Sequence, residues 1–210
     1  MRRILQLAAV SLLAASPVAA EETLRTFTFG REAGVLTGVA IEAGVAEVEV
    51  VAADVTAVSV EVDIESSKSR SRVQKIVDRL ELRAEERGGR LHLQVANAPD
   101  HDRDYSEVWT VQIPRTLALE LEVGVGDLRI LDVAASVSVE AGVGDIRIEG
   151  EHGAFGRVRA SCGVGDVEIR TPEGRADSDG FIGKSASHRG PGKADLDVEA
   201  GVGDITIRLR

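Results

Sequence analysis

Apolar residues alternate along this chain with a period of two, and the alternation slips phase at regular places. Leu119, Leu121, Val123 and Val125 occupy odd positions, and Leu128 and Ile130 then occupy even ones. Val137, Val139, Ala141 and Val143 give way to Ile146 and Ile148 in the same manner. Val158, Ala160, Cys162 and Val164 give way to Val167 and Ile169, and Leu196, Val198, Ala200 and Val202 to Ile205 and Ile207. A period of two marks a strand with one buried face. A slip of one residue reverses every later side chain unless the backbone bends or bulges there. Each unit is therefore expected to be two short strands joined by a tight corner. The valine just before the slip is expected to point inward.

The slip falls at one recurring tetrapeptide, Gly-Val-Gly-Asp. The structural turn is assigned to Gly124, Gly126 and Asp127; Gly142, Gly144 and Asp145; Gly163, Gly165 and Asp166; and Gly201, Gly203 and Asp204. Glycine reaches positive φ at low cost, and aspartate can bond the backbone just ahead of it. The copies start 18, 21 and 38 residues apart, the last being close to two rungs of 19. A worn fifth copy runs from Ala40 to Val50, with Ala46-Glu47 in place of Gly-Asp. Two short strands cannot bury an apolar face alone, but stacked repeats can. The expectation is an all-β fold, a parallel β-solenoid or flattened β-roll, with successive repeats about 4.8 Å apart.

Other segments break this rhythm. Val58, Val60, Val62 and Ile64 alternate as a strand, and Val73, Ile76, Val77 and Leu80 follow helical spacing. Alternating runs at 80–84 and 91–95 flank Gly88-Gly89, a hairpin signal. A small helix-plus-hairpin insertion is thus expected at about 68–97, near the N-terminal half, capping one end of the stack. Trp109, Val111 and Ile113 predict another strand, stopped by Pro114. Residues 174–193, rich in Gly, Ser and Asp, are expected to form a long loop or a degenerate rung.

The "SVEVDIE" strand, the helix and hairpin, "VQIPRTLALELEVGVGDLRI" and the repeated GVGD turns resemble the bacterial putative-adhesin domain family. The resemblance covers roughly residues 37–208. It implies a right-handed β-solenoid-like stack, an exported or envelope location, and no catalytic residues. The chain departs from the family pattern in the worn Ala46-Glu47 copy and the Gly-rich insertion before the last repeat.

The ends and the charge narrow the function. Arg2-Arg3, an apolar stretch from Ile4 to Ala15, and Pro17-Val18-Ala19-Ala20 read as a cleavable signal peptide over 1–20. Residues 21–36 are then an N-terminal extension and 37–210 a single domain. The expected location is exported, periplasmic or extracellular, with no integral membrane span in the mature chain. Net charge is −10, and loss of Arg2 and Arg3 makes it more negative. Such a protein lacks the basic face that nucleic acid requires. With Cys162 alone no internal disulfide forms, and its register with Ala141 and Ala200 marks it as a small core residue.

"GVGDIR" has Arg147 where a dinucleotide loop needs its third glycine, and no helix pattern follows. Gly183-Lys184-Ser185 ends like a phosphate loop, but Ser178 stands where the first glycine belongs. Asp100, Asp102 and Asp104 have EF-hand spacing, yet Tyr105 and Val111 replace the required Gly and Glu. His92, His101, His152 and His188 show no paired ligand spacing. Asp127, Asp145, Asp166 and Asp204 would stack into a carboxylate column, held by backbone hydrogen bonds or by a bound cation. They are weak metal candidates only, and no cofactor is implied. The reading that follows is a non-enzymatic envelope protein, adhesin-like or scaffolding, with an unidentified protein or glycan partner. The alternative is a calcium-dependent binding module using the aspartate column. A polysaccharide-active enzyme ranks third, since nothing nominates a catalytic pair of carboxylates.

Overall fold

A strand that must turn a corner without losing its pairing partners dictates this architecture. The structure, a computed structural model, describes residues 21–98, 104–177 and 183–210. The strands are β1 (Glu22–Glu32), β2 (Gly38–Ala53), β3 (Ala57–Ser66), β4 (Glu81–Arg87), β5 (Arg90–Ala96), β6 (Ser106–Pro114), β7 (Ala118–Val125) and β8 (Leu128–Val133). They continue with β9 (Val137–Val143), β10 (Ile146–Gly150), β11 (Phe155–Val164), β12 (Val167–Thr171), β13 (Gly174–Asp177), β14 (Lys184–Arg189), β15 (Ala194–Val202) and β16 (Ile205–Leu209). Among the described residues there is one α-helix, α1 (Arg70–Val77), and one 3₁₀ turn, His152–Ala154.

The strands form two layers joined at the corners. The first halves of the repeats lie side by side in the order β2, β7, β9, β15, β11, and the second halves in the order β2, β8, β10, β16, β12. All these pairings are parallel and in register. The long β2 serves both layers: Gly38–Val45 pairs with β7 and Val48–Val51 with β8. Where Ala46-Glu47 replaces Gly-Asp, the strand rounds its corner unbroken and without positive φ.

The all-β class stands, but a simple parallel solenoid does not. The rungs are stacked out of chain order: the final repeat, β15–β16, lies between β9–β10 and β11–β12. The ends of the stack are antiparallel. In one direction β6 joins β2 in parallel and then pairs antiparallel with β3, which pairs antiparallel with β1. Beside the first half of β2, β5 is parallel to it and antiparallel to β4. In the other direction β13 closes on β12 and β14 on β11, both antiparallel.

Two further expectations change. Residues 21–36, read as an extension, contain β1, which is part of the sheet. Residues 174–193, read as a loop or worn rung, hold two edge strands, β13 and β14. The outer strands carry many charges, as in the β4 sequence ELRAEER, and charged edges resist strand addition by another chain. Residues 1–20, the central aspartates of "PDHDRDY" and Ser178 lie outside the described residues. Asp104 from that segment forms an ion pair with Arg72 at 2.9 Å.

The core is a single apolar cluster running along the stack. Its centre is built of in-register columns: Val39, Leu119, Val137, Leu196 and Val158 in one layer, Val50, Ile130, Ile148, Ile207 and Ile169 in the other. All ten are buried, and each such side chain contributes about 1.5–3 kcal/mol on removal from water. The helix α1 sets Val73 and Val77 against this core, and Arg25 donates to the Val77 and Leu80 carbonyls at 3.0 Å each, closing its C-terminal end.

Cys162 stacks on Ala200 and is 3 % exposed. Burial pushes its thiol pKa up from the ordinary value. Because the folded value is the higher one, this group's contribution is complete below the unfolded pKa of about 9 and is lost as pH rises beyond it. Thiol-blocking reagent is expected to label native protein only as fast as it unfolds. Stopped-time labelling across a urea series measures this, and immediate labelling in buffer would contradict it.

Candidate functional site

The corner face presents the repeated chemistry of the chain as parallel ladders. The rungs through β7, β9 and β15 read Glu, a buried apolar residue, Gly, Val, Gly, Asp; β2 carries Ala46-Glu47 at the end and β11 Ser161 at the start, and register stacks like on like. The second glycine of each corner has positive φ: 138° at Gly126, 142° at Gly144, 140° at Gly165 and 139° at Gly203. These turns keep the backbone ladder intact around the bend. Gly126 N–H donates to the Val143 carbonyl (2.8 Å), Gly144 to Val202 (2.9 Å) and Gly203 to Val164 (2.8 Å).

The aspartates occupy one column, in the spatial order Asp127, Asp145, Asp204, Asp166. The Oδ1 atoms of the first three each accept the backbone N–H of the next aspartate in the stack, not of their own turn. Asp145 N–H donates to Asp127 (2.9 Å), Asp204 N–H to Asp145 (3.0 Å) and Asp166 N–H to Asp204 (2.8 Å). At the end of the column Lys184 bonds Asp166, and that bond raises the lysine pKa. The bracing is therefore between rungs, where the sequence suggested bracing within each turn.

This geometry predicts a graded response. Asp145→Ala removes the acceptor of the Asp204 N–H at an exposed site and is expected to cost about 0.5–1.5 kcal/mol. Asp145→Asn keeps an acceptor oxygen and is expected to cost well under half as much. Urea denaturation of the two variants reads the difference, and equal losses would refute an acceptor role.

The valines of the tetrapeptide do not point inward. Val125, Val143, Val164 and Val202 are 46 %, 46 %, 60 % and 45 % exposed. The bend begins before the positive-φ glycine, so the side chain that simple alternation sends to the core stands at the apex. Pairing aligns Val45, Val125, Val143, Val202 and Val164 in one row. Four steps of about 4.8 Å make this row about 19 Å long.

Beside it runs a groove of about 880 Å³ across the rungs. Its floor is a glycine column, Gly44, Gly124, Gly142, Gly201 and Gly163, where backbones approach closely. Its wall is a row of glutamates, Glu42, Glu122, Glu140 and Glu199, ended by Ser161. The four glutamates are exposed, a strand spacing apart, and like charges so placed repel. Some outward charges on the neighbouring strands are paired, as in Arg157–Asp195 (2.5 Å) and Arg159–Asp197 (3.3 Å). Among the described residues no aromatic ring lines the groove.

One cluster escaped the sequence reading. His152 and His188 lie with Nε2 atoms 3.2 Å apart, and Glu173 approaches both. They are far apart in the chain, and the topology alone unites them.

No protein-family model matches this chain, and no curated protein matches its sequence. Solved structures do. A "putative cell adhesion protein" from Clostridium sporogenes superposes with TM-score 0.51 at 14 % identity, covering 89 % of this chain and 99 % of that one. A "putative adhesin" from Bacteroides fragilis covers 88 % of this chain and 98 % of its own, at 10 % identity and TM-score 0.33. The likeness to the clostridial protein is one of fold. Among the described residues no helix is long and apolar enough to cross a membrane.

Proposed function

We propose that this chain is a non-enzymatic, exported envelope protein of adhesin-like or scaffolding type, and that the corner face is its binding surface. The observation that carries the reading is the row of exposed valines beside a row of exposed glutamates that have no ion pair among the described residues. A soluble protein rarely keeps an ordered apolar stripe in water without a partner for it. The complementary partner is a protein segment that brings apolar side chains to the valines and basic ones to the glutamates. The fold shared with the clostridial cell adhesion protein agrees with this reading. Against the calcium-dependent alternative, Asp127, Asp145 and Asp204 each commit Oδ1 to a backbone N–H and Asp166 commits Oδ1 to Lys184.

The test uses the full exported chain, immobilised and exposed to envelope extract of the producing cell. Wild type is expected to retain a partner that 0.5 M salt weakens, and a Val143→Glu/Val202→Glu variant to lose it while melting normally. Retention by both proteins alike, or by neither, would overturn the assignment. Fractionation adds a check on location: the mature chain is expected in the periplasm or medium, beginning near Glu21.

A further inference from the structure

We propose that His152, His188 and Glu173 form a binding site for a divalent transition-metal ion of the zinc class. The three residues come from separate elements: the 3₁₀ turn before β11, the inward face of edge strand β14, and the turn between β12 and β13. Strand pairing places His188 opposite buried Val158, so its imidazole enters the end of the core and does not leave it. The segment after β14 is tied to the 3₁₀ turn. Gly190 N–H donates to the Gly156 carbonyl (3.2 Å), Gly192 to Phe155 (3.0 Å) and Lys193 to Ala154 (3.0 Å). His152 N–H in turn donates to the Arg210 carbonyl at 2.8 Å. Both rings are thus positioned by backbone.

The distances suit a metal. Ligands 2.0–2.1 Å from a tetrahedral ion stand about 3.3–3.4 Å from each other. The two Nε2 atoms are 3.2 Å apart. Glu173 oxygens lie 3.9 Å from His152 and 4.0 Å from His188, and the side chains are 13 %, 15 % and 63 % exposed for His152, His188 and Glu173. The histidines are thus shielded and fixed, while the glutamate is free to swing the last few tenths of an ångström. Two imidazoles and one carboxylate select zinc, cobalt, nickel or copper over calcium and magnesium, which take oxygen ligands. Three protein ligands leave a fourth position for water. A bound ion would tie the β12–β13 turn of one layer to β14 and the 3₁₀ turn of the other, closing the end of the stack where no further rung covers it.

The experiment titrates zinc and cobalt into the chelator-treated full-length mature protein. One ion per chain is expected, with a rise in melting temperature and the intense visible absorption of tetrahedral cobalt. Calcium is expected to do neither. His152→Ala and His188→Ala should weaken zinc binding beyond about 100-fold, the upper range when only a supporting partner is lost. Glu173 lies on an exposed turn, so Glu173→Gln should melt like the wild type without metal and should weaken binding by at least about 10-fold. A folded wild-type protein that takes up no stoichiometric zinc would overturn the site, leaving the pair as a plain imidazole–imidazole hydrogen bond. Binding that survives the His152→Ala/His188→Ala double substitution, or is unchanged in Glu173→Gln, would overturn it equally.

Discussion

Replacing Gly144 with alanine is expected to destabilise the protein by about 2–6 kcal/mol, out of proportion to one added methyl group. Two effects coincide at this position. The backbone has φ of 142°, a region that side-chain-bearing residues rarely enter. A Cβ there would also lie 2.1 Å from the Gly126 carbonyl oxygen of the neighbouring rung. Relief requires that the rungs separate, and that breaks the Gly126-to-Val143 and Asp145-to-Asp127 hydrogen bonds on the same side. Strain and lost pairing therefore reinforce each other. Gly153→Ala is the control, since that glycine has open space around it and no positive φ. The midpoint of urea unfolding is the measurement. A Gly144→Ala protein as stable as Gly153→Ala would mean that rung spacing at the corner is loose.

The same corner shows how far the sequence could be read. Alternation identifies the buried set because burial and period two are one physical fact in a strand, and Leu119, Leu121, Val123, Leu128 and Ile130 are all inside. It misplaces Val125 and its equivalents because parity assumes a straight strand up to the glycine. Stacking order was hidden for another reason. Every repeat carries the same inward face and the same turn, so each rung is a chemically suitable neighbour for every other. The spacing did hold a trace of it: the third copy starts 21 residues after the second where the first gap is 18, an excess of three. Those residues match the 3₁₀ turn His152–Ala154, which carries the chain past the place that β15–β16 will fill. The edge strands β13 and β14 were concealed by their short, polar sequences, the same property that protects an exposed edge. His152, Glu173 and His188 could not be grouped beforehand, because only this detour brings them together.

Truncation after Lys193 is expected to abolish cooperative folding of the C-terminal half, although only the last repeat is removed. In a stack ordered like the chain, losing the terminal rung subtracts one rung and leaves the rest. Here the last rung is internal. Without β15 and β16, strands β9 and β10 lose their parallel partners on one side, and β11 and β12 on the other. The buried columns lose Leu196, Val198, Ile205 and Ile207 from their middle, and the Asp145 and Asp166 turns lose the Asp204 link. Two unpaired strand faces with apolar neighbours invite association between chains. The truncated protein should therefore elute as aggregate on size exclusion and show no single sharp melt. A monomer melting within about 5 °C of the full chain would refute the interleaved order. The topology also predicts the remedy. A peptide of residues 194–210 added during refolding should insert between β9–β10 and β11–β12 by strand addition and restore the monomeric, cooperative species. A scrambled peptide of the same composition should not, because the restored contacts depend on register: Ile205 and Ile207 must meet Ile146 and Ile148 on one side, Val167 and Ile169 on the other.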